Sequence, residues 1–277
     1  LYKDGLVSPE FGSKTANDVA TDLTSGYCGV AFGPQWLPVW PLNSGIGTVD
    51  TYDWVSMPLV TADGSDAHPL VPIGLTGYYV VSKDFAHPEA LIKMLNLFVD
   101  DAFGDGDITY HATSDKYFEP YKLSKVNIFQ PDKNIRIWEA ISTFMTTGDK
   151  AKLDENTEAA TDYEAIKKWL DNPTQENNLG WGYLRVFGND GKVDGSIGVL
   201  NAYTEKDAFI IDSWYGPTAK AEASYKSTLD QRQMVFYTGF ILGEKTSDDW
   251  RAFVDEWKSL GGGQWTKEVN EWHSSMK

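Results

Sequence analysis

The chain has 277 residues, and its 24 Lys and Arg against 40 Asp and Glu give a formal net charge of −16. This charge excludes recognition of nucleic acid or an anionic membrane through a basic face, because the field of such a protein repels polyanions. An apolar fraction of 42% and a charged fraction of 23% are ordinary for a globular protein that buries a core.

The opening of the chain predicts a turn at Gly5 after the end of a helix. Because neither a Met nor a signal peptide opens the sequence, we expect a segment from within a longer protein. A helix is predicted over residues 17–25, where Gly26 ends it, and a short buried strand over residues 27–32.

The segment that follows is predicted to be a loop. Pro34, Pro38 and Pro41 each remove a backbone donor and fix φ, so no long helix can form there. Trp36 and Trp40 therefore lie on a loop, where binding residues are common. The alternative is that they only fill the base of the loop.

Strands are predicted over residues 54–59 and 77–82, since both runs are rich in β-branched and aromatic residues. Pro88 suits the first turn of a helix, and apolar residues at helical spacing extend that helix to about residue 100. A strand followed by an amphipathic helix predicts an α/β architecture.

The remainder of the chain is predicted to alternate between helices and short strands. The predicted helices cover residues 135–145, 158–170 and 219–238. Asn189, Asp190 and Gly191 predict a hairpin turn. The predicted strands cover residues 183–187, 196–200 and 208–211.

Two helices are predicted at the end of the chain. Ser247 is the expected N-cap of the first, with Asp248 and Asp249 favourable in its first turn. Glycines 261–263 separate the two helices. Four tryptophans have the spacing of core residues, so we expect packing and not ligand binding from Trp250, Trp257, Trp265 and Trp272.

The sequence predicts neither a metal site nor a catalytic site. Cys28 is the single cysteine and the four His are far apart, so no disulfide or zinc site is expected within the chain. Residues 101–112 begin like a calcium-binding loop, but Phe103 and Ala112 stand where ligands are required. Nucleophile-elbow, zinc-protease and phosphate-loop motifs are missing, and no cofactor is expected.

Aromatic residues make up 14% of the chain, and they include 11 Trp. Trp is seldom fully buried, so some of these side chains are expected to bind a ligand. A flat ring can cover the C–H face of a sugar while Asp, Asn and Gln bind its hydroxyls. The predicted ligand-binding residues lie beside turns and strand ends, and they are Trp36, Trp40, Tyr78, Tyr79, Trp214 and Tyr215.

Two stretches carry a family resemblance. Residues 77–98 contain the motifs YYVVSK, HPEA and KMLN, and residues 253–272 contain FVDEW and TKEVNEW. Together they resemble the family 1 extracellular solute-binding proteins of ABC sugar importers, in the large Gram-positive lipoprotein branch. Residues 4–11 are similar to the stretch that precedes the second half of such proteins.

The resemblance implies a class II periplasmic-binding-protein-like α/β fold with two lobes and hinge crossings, of which this chain is the C-terminal half. Residues 1–74 would belong to one lobe and residues 75–205, with an irregular insertion, to the other. Residues 206–277 would return to the first lobe. Crossings are expected near residues 72–76 and 204–214.

Individual residues also carry the resemblance. The run from Gly33 to Trp36 resembles the Gly-Pro-Trp turn that stacks on sugar in maltose-binding proteins, with Gln35 inserted. Trp214 and Tyr215 occupy a position similar to a cleft aromatic that follows the last crossing.

The function that the resemblance implies is capture of an oligosaccharide for the permease subunits of an ABC transporter. The protein would be a monomer without enzymatic activity, held at the cell surface as a lipoprotein in its full-length form. Ligand would favour hinge closure through its differential contacts. The alternatives are a secreted glycoside hydrolase or lyase and a non-catalytic carbohydrate-binding surface module.

Overall fold

A computed structural model describes residues 1–74, 77–103, 126, 128–191 and 193–276. The chain forms two compact units, of which the larger contains residues 19–210 and the smaller contains residues 1–18 and 211–277. The division of the chain into lobes at residues 74 and 205 and the class II fold stay predictions. Most of the irregular segment expected over residues 104–134 and most of the rejected calcium loop lie outside the described residues.

The described residues are mainly helical. The helices are α1 (Ala16–Thr24), α2 (Glu89–Phe103), α3 (Lys133–Thr147), α4 (Ala151–Asp154), α5 (Thr157–Asp171), α6 (Asn178–Phe187), α7 (Ser196–Glu205), α8 (Lys220–Leu242), α9 (Asp249–Trp257) and α10 (Gly263–Ser275). Short 3₁₀ turns cover Leu42–Gly45 and Gln175–Asn177, and a π turn covers Lys258–Gly262. The strands β1 (Leu70–Val71) and β2 (Ile210–Ile211) pair in a two-stranded sheet.

The core of the larger unit lies between α3, α5, α6 and α7. Ile137 and Ile141 are spaced one helical turn apart on α3 and are fully buried, as is Ile166 on α5. Phe144 of α3 meets Tyr163 of α5 edge to face, with ring centroids 4.8 Å apart. Apolar residues at helical spacing thus fix how α3 and α5 pack.

Local signals define the ends of these helices. Asn156 caps α5, because its Oδ1 accepts a hydrogen bond of 3.0 Å from the backbone N–H of Ala159. Gly148 ends α3 with a φ of 78°, a left-handed conformation that suits glycine. Both features agree with the helices predicted from the sequence.

A second apolar cluster of the larger unit joins the loops around residues 23–54 to α6. Leu23, Leu42, Ile46 and Trp181 are buried together. The Tyr52 hydroxyl donates a hydrogen bond to the Leu42 carbonyl at 2.9 Å. This cluster fixes a segment that has little regular secondary structure.

The helices predicted over residues 17–25, 89–100, 135–145, 158–170 and 219–238 are confirmed, with bounds that differ by up to four residues. The absence of a long helix from residues 35–47 is also confirmed. The N-cap of α9 is Asp248 and not the expected Ser247, and its side chain makes no capping hydrogen bond. The Asp249 carboxylate instead accepts hydrogen bonds from the N–H and the hydroxyl of Thr246, at 2.8 and 2.9 Å.

Most of the predicted strands are wrong. Residues 27–32, 54–59 and 77–82 form no regular strand, and within residues 208–211 only the last two are in β2. Residues 183–187 and 196–200 belong to the helices α6 and α7. The periodicity of a short apolar run does not distinguish a strand from a buried helix. The turn at residues 189–191 is nevertheless present, bounded by an antiparallel bridge between Asn189 and Asp194.

The smaller unit packs α8 against α9 and α10. The Phe236 ring of α8 stacks on Phe253 of α9, with centroids 4.3 Å apart. Gly261 separates the two terminal helices with a φ of 122°. Of the tryptophans predicted to pack, Trp257, Trp265 and Trp272 are partly buried, whereas Trp250 contacts Phe236 but stays 45% exposed.

Among the helices in the described ranges, none has the combination of length and apolar character that a membrane crossing requires.

The core of the larger unit contains one carboxyl group in an unfavourable position. Asp162 of α5 is 7% exposed. Burial raises the pKa of its carboxyl well above the ordinary value, and the nearby Glu158 raises it further. Lys133 and a hydrogen bond from Tyr183 oppose this rise. At a pH between the pKa of the unfolded chain and the raised pKa of the folded protein, folding therefore leaves a proton on Asp162 that the unfolded chain releases.

We expect Asp162→Asn to abolish one component of the pH dependence of stability. With a raised pKa in the folded state, Asp162 favours folding at acid pH, and this contribution is lost as the pH rises through the folded pKa. The free energy of unfolding of the variant should therefore rise relative to that of the wild type as the pH increases above 3.8, the ordinary pKa of an Asp carboxyl. Urea unfolding at several pH values measures this difference.

Glu164→Gln, at an exposed position of the same helix, is the matched control and should leave the pH profile unchanged. Parallel profiles for the wild type and Asp162→Asn would contradict a buried, protonated Asp162.

Candidate functional site

The structure brings two of the predicted binding residues together as a pair. The rings of Trp36 and Trp40 have centroids 6.3 Å apart and planes inclined by 36°. Their side chains are 47% and 49% exposed. We call these two side chains the indole pair.

The loop that carries the indole pair folds as a short helical turn. The N–H of Trp40 donates to the carbonyl of Trp36 at 3.3 Å, so that the two side chains lie on the same face. The residues between them face inward, since Leu37 and Val39 pack against the two apolar clusters of the larger unit. Burial of the opposite face thus leaves both indoles in solvent.

Helices α6 and α7 hold this loop in place. The Ser196 hydroxyl of α7 donates to the Gln35 carbonyl at 2.6 Å. A Cβ on Gly182 of α6 would lie only 2.9 Å from the carbonyl oxygen of Pro38, so α6 can approach the loop closely only with glycine there. The indole pair is therefore fixed to the core.

The other predicted residues of the larger unit are not part of this pair. Tyr78 and Tyr79 are 78% and 45% exposed and lie outside regular secondary structure. Within the described ranges, neither ring makes an aromatic contact with the indole pair.

The two predicted residues of the smaller unit pack around a third aromatic side chain. Trp214 and Tyr215 meet Trp272 of α10 edge to face, with centroids 4.6 and 4.9 Å apart. Trp214 is partly buried and Tyr215 is 52% exposed. Because each ring contacts Trp272, mutual packing explains part of their placement.

The sequence did not predict a pocket of about 500 Å³ in the larger unit. It lies between the segment of residues 46–53, the end of α5 and α6. We call it the Asp53 pocket. Its aromatic and polar lining includes Asp50, Tyr52, Asp53, Trp169, Gln175 and Arg185.

Asp53 binds two side chains that are one turn apart on α6. Its Oδ1 accepts hydrogen bonds from Trp181 Nε1 at 3.0 Å and Arg185 Nε at 3.2 Å. Its Oδ2 accepts from Arg185 Nη2 at 2.6 Å. This two-pronged contact fixes the guanidinium and neutralises its charge. Arg185 is only 14% exposed, so water screens the pair less than it would an exposed one.

Two other polar groups of the pocket are open to a ligand. Asp50 and Gln175 are exposed, and their side chains make no hydrogen bond or ion pair with the residues that the structure describes. Asp50 is therefore an uncompensated carboxylate at the wall of an aromatic pocket.

The sequence could have indicated that Trp181 and Arg185 are neighbours, although not that they contact Asp53. Trp181 and Arg185 share a face only if residues 178–187 are helical, whereas we predicted a strand over residues 183–187. A helix prediction for these residues would have placed the two polar groups, the Trp181 N–H and the Arg185 guanidinium, on one face of an otherwise apolar helix. The wrong secondary structure concealed it.

The described residues contain no group of three or more His, Cys, Asp or Glu side chains that could hold a metal ion.

Comparison of this chain with protein-family models, curated proteins and solved structures finds no match. The likeness to the family 1 solute-binding proteins therefore depends on the sequence motifs.

Proposed function

We propose that this protein binds a neutral oligosaccharide as the capture subunit of an ABC sugar importer at the cell surface. The observation that carries the proposal is the indole pair of Trp36 and Trp40. Presentation to permease subunits, attachment as a lipoprotein and closure of two lobes belong to the same proposal, and the sequence motifs support them.

The indole pair has the properties of a binding surface. Each half-exposed indole leaves apolar surface in contact with water. A ligand that covers this surface gains about 25 cal/mol of binding free energy for each Å² removed from water. The hydrogen bond from Ser196 to Gln35 and the packing of Leu37 hold the loop before ligand arrives. Binding to such a surface has a small ordering cost.

The shape and charge of the surface favour one ligand class. Two neighbouring, mutually tilted rings can cover two consecutive units of a sugar chain better than one isolated unit. The net charge of −16 repels acidic polysaccharides but leaves neutral sugars unaffected. A neutral oligosaccharide fits both properties.

Titration of a panel of neutral oligosaccharides against intrinsic Trp fluorescence tests the proposal. We expect saturable binding to at least one of them. Trp36→Ala and Trp40→Ala should each weaken that binding about 30-fold, as loss of an aromatic contact worth about 2 kcal/mol does. Calorimetry should accompany the titration, because both variants also remove a fluorophore.

Trp36→Phe is the matched control, since it retains a flat ring and should keep most of the affinity. An absence of binding across the panel, or unchanged affinity in both Ala variants, would contradict the proposal. Release of shorter sugars, detected by mass spectrometry, would instead indicate a glycoside hydrolase or lyase.

A further inference from the structure

The geometry points to a binding site for an organic ammonium group in the Asp53 pocket. This inference does not depend on the proposed oligosaccharide function, because none of the pocket residues used below belongs to the indole pair. It depends on the aromatic walls of the pocket, on the charges that line it and on the hydrogen bonds that its donors already make.

The walls of the pocket can attract a cation. Tyr52 and Trp169 are partly buried side chains of the lining, and Trp181 lies behind them at 2% exposure. The rings of Tyr52 and Trp181 have centroids 6.4 Å apart, and the Tyr52 hydroxyl is held by the Leu42 carbonyl. The faces of aromatic rings carry negative potential that attracts ammonium groups.

The charges of the pocket favour the same ligand. Its charged lining residues are Asp50, Asp53 and Arg185, so two carboxylates face one guanidinium. Arg185 is paired with Asp53 through both carboxylate oxygens and also lies 4.0 Å from Asp190. Asp50 is thus left as the uncompensated charge, and the net charge of −16 draws cations toward the protein.

Three side-chain donors of the pocket already make hydrogen bonds, whereas the Gln175 amide makes none with the residues that the structure describes. The Tyr52 hydroxyl donates to backbone carbonyls, and Trp181 Nε1 and the Arg185 guanidinium donate to Asp53. The Asp50 carboxylate repels anions and only accepts hydrogen bonds, so it favours a ligand that is a cation or a donor. An ammonium group, which donates hydrogen bonds or presents charge and accepts none, complements this arrangement.

The volume of the pocket sets the size of the ligand. About 500 Å³ is within the range of small-molecule sites and exceeds the needs of a bare inorganic cation. We therefore assign the pocket to a small alkylammonium compound, either quaternary or primary.

Isothermal titration calorimetry of the intact chain at low ionic strength provides the test. Choline represents the quaternary ligands, butylammonium the primary amines, and 3,3-dimethyl-1-butanol the neutral isostere of choline. We expect one of the two cations to bind, the neutral isostere to bind at least about tenfold more weakly, and affinity to fall as salt is added.

Asp50→Asn should weaken binding of the cation about tenfold without loss of folding, because Asp50 is exposed and unpaired within the described chain. Asp66→Asn, an exposed acid of the same unit that does not line the pocket, should bind like the wild type.

Equal affinity for choline and its neutral isostere, unchanged affinity in Asp50→Asn, or displacement of the cation by a neutral sugar would overturn the assignment. Failure of both cations to bind would also overturn it.

Discussion

Gly180→Ala is expected to lower the free energy of unfolding of the larger unit by about 3 kcal/mol, the cost of forcing a methyl group into closely packed elements. The usual effect of this substitution inside a helix has the opposite sign, a gain of about 1 kcal/mol. A Cβ on Gly180 would overlap the carbonyl oxygen of Ala165 and lie 2.8 Å from the Cβ of Trp169. Both atoms belong to α5.

The clash cannot be relieved by a side-chain rotation, since the Ala165 oxygen is backbone. Helix α6 would have to move away from α5, and Leu184 and Phe187 would lose contacts in the core. Urea unfolding followed by circular dichroism measures the change, and thermal unfolding should show a matching fall in the melting temperature.

Lys168→Ala is the control for this prediction. It also introduces alanine, on the exposed side of α5, and should change the free energy of unfolding by less than about 0.5 kcal/mol. A stabilised Gly180→Ala variant would show that α5 and α6 are not in contact at this position.

The parts of the fold that could be predicted are those in which a local pattern is long enough to have one interpretation. Helix α3 repeats its apolar residues over four turns and ends at Gly148, so its spacing excludes a strand. The five residues from 183 to 187 fit a strand as well as a helix. Their helix begins earlier, at Asn178, among glycines and polar residues that obscure the pattern.

The two candidate sites also differ in how much of each could be predicted from a local pattern. The position of Trp36 and Trp40 outside a long helix could be predicted, because nearby prolines exclude such a helix. The distance of 6.3 Å between their ring centroids depends on a helical turn that the prolines did not indicate. The Asp53 pocket depends on Asp53 meeting Arg185, which is 132 residues away along the chain. No local pattern encodes such a contact.

Trp181→Ala is expected to lower the free energy of unfolding by about 3–5 kcal/mol, the range for loss of a large buried aromatic side chain. Trp181 is 2% exposed and packs with Leu23, Leu42 and Ile46. Its Nε1 also donates to Asp53 at 3.0 Å, so the variant removes one of the donors that hold this carboxylate. The cavity would open behind the Asp53 pocket and should weaken binding of its ligand as well.

Two further variants separate the causes of the stability that Trp181→Ala loses. Trp36→Ala makes the same chemical change at a side chain that is 47% exposed, and it should cost less than about 1 kcal/mol. Trp181→Phe retains much of the buried ring but lacks the N–H, so its cost, about 1–2 kcal/mol, reports the loss of the hydrogen bond and a small cavity. Urea unfolding of the three proteins should therefore rank Trp181→Ala as the least stable. A Trp181→Ala variant as stable as Trp36→Ala would mean that the cluster around Leu42 does not contribute to the core, and that α6 does not hold the wall of the Asp53 pocket.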